Sequence, residues 1–191
     1  MNSGKTTILI QTAYNYEERE QKVIIIKPSI DTKGNKMIVS RIGAEREVDY
    51  LIDKEDKIIE KIEKSIDNLS CILVDEVQFL TKTQIDELFY ITKIYYIPVI
   101  GYGLRTDFKT NGFEGSLRML ELSDELEEMP TICRCGKKTR FNGRKINGIF
   151  AVEGESIKID GSDEKQEYES LCGKCYLTKV LKMKERWLNE K

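Results

Sequence analysis

Cys71-Ile72-Leu73-Val74-Asp75-Glu76-Val77-Gln78-Phe79 is the stretch on which the fold turns. It is an unbroken apolar run of strand length that ends in two adjacent acids. Runs without polar alternation fit strands covered on both faces, the condition of a parallel sheet. Val23 to Lys27 (V-I-I-I-K) and Pro98 to Gly101 (P-V-I-G) are of the same kind. Between these runs lie helical patterns: Thr6 to Arg19, Lys54 to Ile66 with Ile58, Ile59, Ile62 and Ile66 on one face, and Lys82 to Ile94 with Ile85, Leu88, Phe89 and Ile91. Strands alternating with helices predict right-handed crossovers and an open α/β fold, a parallel sheet flanked by helices.

Toward the N-terminus, Ser3-Gly4-Lys5-Thr6 is the end of a G-x-x-x-x-G-K-[ST] phosphate loop. The chemistry of that pattern is a turn of backbone N–H groups around phosphate oxygens at a helix N-terminus. Gly4 allows close backbone approach, Lys5 reaches the β and γ phosphates, and Thr6 offers a hydroxyl to Mg²⁺. An isolated G-K-T more often marks a helix start with no ligand; here a helical pattern, a strand and then the acidic strand end follow it. In open α/β sheets ligands bind beyond the carboxyl ends of the strands, which directs Asp75 and Glu76 at the phosphate loop. Asp75 suits Mg²⁺ coordination and Glu76 is the candidate general base.

Composition narrows the chemistry. The 191 residues suit one domain with a small appendage, and 31 Lys+Arg against 33 Asp+Glu disfavour bulk nucleic-acid binding. No apolar run approaches the roughly 20 residues that span a bilayer, and the N-terminal residues carry no signal-peptide pattern, so no membrane association and a cytoplasmic location are expected. The chain has no histidine, which excludes imidazole relays, Ser-His-Asp and Cys-His nucleophiles and two-His metal sites. Of five cysteines, Cys71 sits inside an apolar run as a small hydrophobe. Cys133, Cys135, Cys172 and Cys175 form two close pairs, which in a reducing compartment read as metal ligands rather than disulfides.

The pattern changes after Met129-Pro130. Thr131 to Cys175 is rich in Lys, Arg, Gly and Asn, and Ile149 to Ile159 alternates as a hairpin strand would. The expected division is a core over 1–129 and a metal-binding subdomain over 130–191, with Tyr176 to Lys191 as a terminal helix.

Taken in order, these residues resemble the type II thymidine kinases. The family's G-P-M-x-S-G-K-[ST] is matched from Met1 onward, its K-P-x-x-D by Lys27 to Asp31, its D-E-x-Q-F by Asp75 to Phe79, its G-L-x-x-D-F by Gly103 to Phe108, and its F-x-G by Phe113 to Gly115. The four late cysteines resemble its structural zinc site. The resemblance implies transfer of the γ-phosphoryl group of ATP to the 5′-hydroxyl of thymidine, with deoxyuridine as a further acceptor to be tested. It implies that Ser3, Gly4, Lys5, Thr6 and Thr7 hold the triphosphate, Thr6 and Asp75 serve Mg²⁺, and Glu76 deprotonates the attacking hydroxyl. Phe79, Leu104, Phe108, Phe113 and Tyr168 are the implied thymidine-binding residues, with a lasso loop within Ile149 to Tyr168 closing over the nucleoside. Structural Zn²⁺ at Cys133, Cys135, Cys172 and Cys175, and a homotetramer, are implied in the same way.

The chain departs from the family at four places, one of them the lasso, where Asp160-Gly161-Ser162-Asp163-Glu164 is longer than in common members. Cys133-Arg134-Cys135 is a residue shorter than C-x-x-C, and Asp31-Thr32-Lys33-Gly34 stands where D-x-R-Y is usual. The first glycine of the phosphate loop would precede Met1, so the sequence reads as one lacking the strand before the loop, with Met1 matching an internal methionine of the family. Three competing readings are another P-loop ATPase or nucleoside kinase, an inactive fragment of a thymidine kinase, and a zinc-ribbon module for nucleic acid suggested by the basic Arg134 to Lys145.

Overall fold

The computed structural model describes residues 3–30, 36–156 and 165–183. Met1, Asn2, Asp31 to Gly34, the 157–164 part of the expected lasso and the tail from 184 onward, with Leu188, lie outside the described residues. The chain divides into two compact units: Gly4–Arg105 with Phe113–Glu127, and Thr106–Gly112 with Glu128–Lys191 and the first three residues. We call them the sheet unit and the cysteine unit.

The sheet unit is built on the three apolar runs. Val23–Pro28 (β1), Cys71–Val74 (β5) and Val99–Gly101 (β6) form a parallel sheet with the short Tyr50–Ile52 (β4), in the order β4-β1-β5-β6. Val23 pairs with Cys71 and Ile26 with Val74, Ile72 pairs with Val99, and Ile26 pairs with Tyr50. All six residues of β1 and all four of β5 are buried, as expected of strands covered on both faces. A small antiparallel ribbon, Met37–Val39 (β2) against Glu45–Glu47 (β3), lies between β1 and β4 in the chain.

Alternation along the strands sorts the core. Ile24, Ile26, Ile72 and Val74 pack with Ile52, Ile58, Ile62, Ile85, Leu88 and Ile91, the inward faces of Ile58–Ile62 (α2) and Lys82–Ile94 (α3). Lys5–Glu17 (α1) packs against β1 and buries Leu9 and Ala13.

Helix α3 starts on a capping box. The Thr81 hydroxyl accepts from Gln84 N at 3.2 Å, and Gln84 Oε1 accepts from Thr81 N at 3.0 Å. The same Gln84 donates to the carbonyls of Asp53 (2.7 Å) and Asp56 (2.9 Å), while Glu87 accepts from Ile58 N at 2.6 Å. These tertiary bonds hold the chain before Ile58 as a turn, so α2 begins later than the Lys54 start suggested by periodicity. It then tightens into a 3-10 segment over Glu63–Asn68. Glu114–Leu122 (α4) completes the unit.

The cysteine unit holds an antiparallel sheet of Phe141–Ile146 (β7), Ile149–Phe150 (β8) and Gln166–Leu171 (β9), ordered β8-β7-β9. Among its described residues, the alternating Ile149 to Ile159 segment contributes the two residues of β8; the long partner of β7 is β9, with Phe141 opposite Leu171 and Arg144 opposite Tyr168. Behind it pack Cys133, Leu171, Cys172, Tyr176 and Val180. A helical turn over Gly173–Cys175 widens into π-type winding over Tyr176–Val180, which is as far as the expected terminal helix extends among the described residues. None of the described helices is long and apolar enough to cross a membrane.

Candidate active site

In the sheet unit, Gly4 caps α1 with φ 76° and ψ 15°, and its carbonyl accepts the first helical bond, from Ile8 N at 3.0 Å. That left-handed geometry suits glycine, which has no Cβ to clash. Among the described residues no side chain caps the helix, and no acid lies in its first turn, an arrangement in which the N–H groups of Lys5, Thr6 and Thr7 suit an anion. Lys5, Thr6 and Thr7 are half-buried, as is the preceding Ser3.

Asp75 and Glu76 follow β5 directly. Asp75 is 4% exposed; its N–H donates to Ile26 O at 3.0 Å and its Oδ1 accepts from Glu76 N at 3.1 Å. Glu76 has φ 50° and ψ 44°, a left-handed conformation that costs a non-glycine residue about 1–3 kcal/mol. The turn turns the Glu76 chain direction sharply into a 3-10 segment, Val77–Phe79.

Gln78, buried at 3% exposure, links that acid to a second loop. Its Nε2 donates to Glu76 Oε2 and its Oε1 accepts from Leu104 N at 3.0 Å. The Leu104 carbonyl in turn accepts from Ser116 Oγ at 2.6 Å, so both backbone groups of Leu104 are held. Phe79 and Phe113 meet edge to face, 5.9 Å between centroids at 80°. At the start of α4, Gly115 lies so close to the turn that a Cβ there would stand 2.5 Å from the carbonyl oxygens of both Val77 and Leu80. The sheet unit therefore brings Glu76, Gln78, Phe79, Leu104 and Phe113 into one bonded and packed assembly. Gln78 carries no role in the sequence reading, although it occupies the Q of the D-E-x-Q-F pattern.

In the cysteine unit, Phe108 is 2% exposed, with the Arg144 guanidinium carbon 3.8 Å from its ring centroid. Tyr176 Oη donates to Phe108 O at 2.7 Å and its ring stacks on Phe141. Tyr168, half-buried on β9, faces Arg144 across the ladder. Thus Phe108 and Tyr168 belong to this unit, whereas Phe79, Leu104 and Phe113 belong to the other. Asp107, the D of the G-L-x-x-D-F pattern, is buried but carries no role in the sequence reading, and the buried Arg144 was missed by it. Arg144 sits in a basic, polar stretch and nothing local marks it for burial.

The four thiols of Cys133, Cys135, Cys172 and Cys175 lie within 4.8 Å of one another, with Cys135 Sγ and Cys172 Sγ 3.5 Å apart. A tetrahedral S₄ zinc site with Zn–S near 2.3 Å requires sulfur separations of about 3.8 Å, so this donor set fits the ion despite the short Cys-x-Cys. Burial pushes the Cys133 thiol up, but hydrogen bonds from the Cys135 and Cys172 backbone and from neighbouring thiols outweigh it and bring it down to about 6. Cys172 is lowered chiefly by the Cys175 N–H, whose bond to Cys172 Sγ measures 3.5 Å. Cys175 is pushed up to about 12 by its Cys135 neighbour and by burial. Opposite shifts at neighbouring thiols are what sulfurs crowded together produce, and a divalent cation between them relieves that crowding of negative charge.

The sequence matches the family model described as thymidine kinase over residues 1–176. It is 42% identical over 176 residues to the thymidine kinase of Mannheimia succiniciproducens, covering 90% of this chain and 88% of that protein. A thymidine kinase of Pasteurella multocida is 42% identical over 184 residues, 94% of each chain, and one of Rhodopirellula baltica is 42% identical over 176 residues, 90% of this chain and 82% of that one.

Proposed function

The chain belongs to the thymidine kinase family, and from that premise we propose that it transfers the γ-phosphoryl group of ATP to the 5′-hydroxyl of thymidine with Glu76 as the base. The observation that carries the assignment of Glu76 is its strained backbone at the end of β5, bonded through Gln78 to the Leu104 loop. Strain of that kind persists where the surroundings over-determine it, and here both neighbours of the acid are held.

Lys5 and the first-turn N–H groups of α1 would hold the triphosphate oxygens. The Thr6 hydroxyl and the Asp75 carboxylate are the groups to hold Mg²⁺, which neutralises charge on the β and γ phosphates when bound. Glu76 takes the proton of the 5′-hydroxyl as that oxygen attacks. Phosphoryl transfer asks chiefly for alignment and charge compensation: a fixed carboxylate aligns the hydroxyl and accepts its proton, while the Lys5 ammonium would offset charge on the phosphates. Phe79, Leu104 and Phe113 offer an apolar surface for the pyrimidine and its methyl group; for Phe108 and Tyr168, in the cysteine unit, the support is the family resemblance alone. Zn²⁺ on the four thiolates would fix the fold of that unit. The homotetramer implied by the resemblance and the cytoplasmic location expected from the sequence belong to the same reading, and the mass of the assembly by light scattering checks the first.

The test is thymidine-dependent ADP formation by the purified chain beside Glu76→Gln. Loss of a general base should lower kcat by about 10²–10⁴ with little change in the KM for ATP. A Glu76→Gln enzyme with the parent kcat would remove Glu76 from the mechanism.

A further inference from the structure

Four consecutive residues of the cysteine unit, Glu153 to Ser156, have no regular secondary structure, yet each is bonded by a side chain from elsewhere in that unit. Arg144 Nη2 donates to Glu153 O at 3.2 Å, Lys109 Nζ to Gly154 O at 2.8 Å, and Arg144 Nη1 to Glu155 O at 2.7 Å. Ser156 Oγ donates to Asp107 Oδ2 at 2.6 Å. Asp107 Oδ1 accepts the Lys109 and Asn111 N–H groups, both at 2.8 Å. Three of the four contacts are to backbone carbonyls and so fix the path of the chain itself; the fourth uses the Ser156 hydroxyl.

The arrangement is costly as mere packing. Arg144 is 2% exposed and Asp107 4% exposed. Among the described residues no carboxylate pairs directly with the guanidinium, and its Nε has no acceptor. Burying such a group for stability alone is poor design, since apolar residues of similar volume usually serve as well or better. What the guanidinium alone can do is fork to two carbonyls while its flat face lies on an aromatic ring. That ring is Phe108, at 3.8 Å. The residue across the ladder from Arg144 is Tyr168. Gly154 permits the fork: its φ is +115°, and a Cβ there would lie 2.5 Å from Arg144 Nη2.

We infer that Arg144 and Asp107 are positioning residues for nucleoside binding, a clasp that holds the Glu153–Ser156 strap and fixes Phe108 and Tyr168 to receive the pyrimidine. The inference rests on the thymidine kinase reading and on the assignment of Phe108 and Tyr168 to the nucleoside. None of the bonds that build the clasp involves a residue of the phosphate loop or Glu76. Loss of the clasp should therefore raise the KM for thymidine and leave the KM for ATP in place.

The experiment uses the full chain with Arg144→Met, Arg144→Lys and Gly154→Ala, the last disrupting the fork from the strap side without altering any charged group. Thymidine and ATP are titrated separately, at a temperature where melting curves show each variant folded. In parallel, a glutamate-specific protease is applied and cleavage after Glu153 and Glu155 is followed by mass spectrometry. Arg144→Met and Gly154→Ala should each raise the KM for thymidine about tenfold or more, from the loss of charge-assisted bonds, and leave that for ATP within about twofold. Cleavage at the two glutamates should accelerate by a similar factor, because proteolysis follows the opened population. Arg144→Lys, with one donor point instead of a fork, should fall between. Faster cleavage with an unchanged thymidine KM would overturn the inference and leave only a structural anchor. Unchanged cleavage in both disruptive variants would overturn the clasp itself. If the parent chain phosphorylates no thymidine, the functional reading fails, and the inferred nucleoside role fails with it; cleavage still decides the clasp.

Discussion

Replacing Gln78 by glutamate isolates the link between Glu76 and the Leu104 loop. The new side chain keeps an oxygen for Leu104 N, now accepted at 3.0 Å, but turns the donor facing Glu76 Oε2 into a second carboxylate oxygen. Two unit charges about 4 Å apart repel by about 1 kcal/mol in water and about 4 kcal/mol at the effective dielectric near a protein surface. At 1.36 kcal/mol per pH unit, the energy corresponds to about 1 to 3 units. A like charge favours protonation, and a base works only when deprotonated. The acid limb of the pH–rate profile should therefore move to higher pH by that amount, so that Gln78→Glu is slow at neutral pH and recovers in mild alkali. The assay is initial-rate thymidine phosphorylation at saturating substrates across pH. Gln78→Leu serves as the uncharged control: it strands the Leu104 N–H, costs about 1–3 kcal/mol of stability, and should not move the limb. A Gln78→Glu profile that superposes on the parent would refute the coupling and with it the placement of Glu76 as base.

Two further perturbations test the frame of the site. Gly115→Ala drives a methyl group to 2.5 Å from the Val77 and Leu80 carbonyls, which must move apart; a loss of about 1–3 kcal/mol in urea unfolding is expected, with reduced kcat because the displaced turn follows Glu76. Elemental analysis should find one zinc per chain bound to the four thiols, and a strong chelator or Cys172→Ser should unfold the cysteine unit, since structural zinc contributes about 10–16 kcal/mol to small metal-bound folds. A chelated chain that melts as the parent does would speak against a structural metal.

Sequence and structure agree where burial is set by one segment alone. β1, β5 and β6 are legible because each is built on a continuous apolar run, closed by Lys27 in β1, α1 because it follows the Gly4-Lys5 signal, and α3 because its apolar positions recur on one face. α2 starts where Gln84 and Glu87, some thirty residues on, allow it to start, and no pattern within Lys54 to Ile66 records this. The partner of β7 went unrecognised because Gln166–Leu171 carries alternating acids that look like a solvated loop. In the sheet Glu169 is half-buried and met by Lys145 at 2.6 Å, so the charge that hides the strand is paired within it. In the site, Asp75 and Glu76 are visible as a pair of acids after an apolar strand. Arg144 is not, because its burial depends on Phe108, which lies far back in the chain.

The membership of Thr106–Gly112 in the cysteine unit bears on how these proteins can be recombined. The seven-residue excursion has paired ends: Thr106 bridges Gly112, and Phe113 N donates to Arg105 O at 3.3 Å. A chimera that exchanges only the chain from Glu128 onward would set a foreign ring, or none, beneath the Arg144 guanidinium. The heritable module is thus discontinuous, and swapping it between relatives takes two grafts: the C-terminal segment and a small loop whose ends already meet.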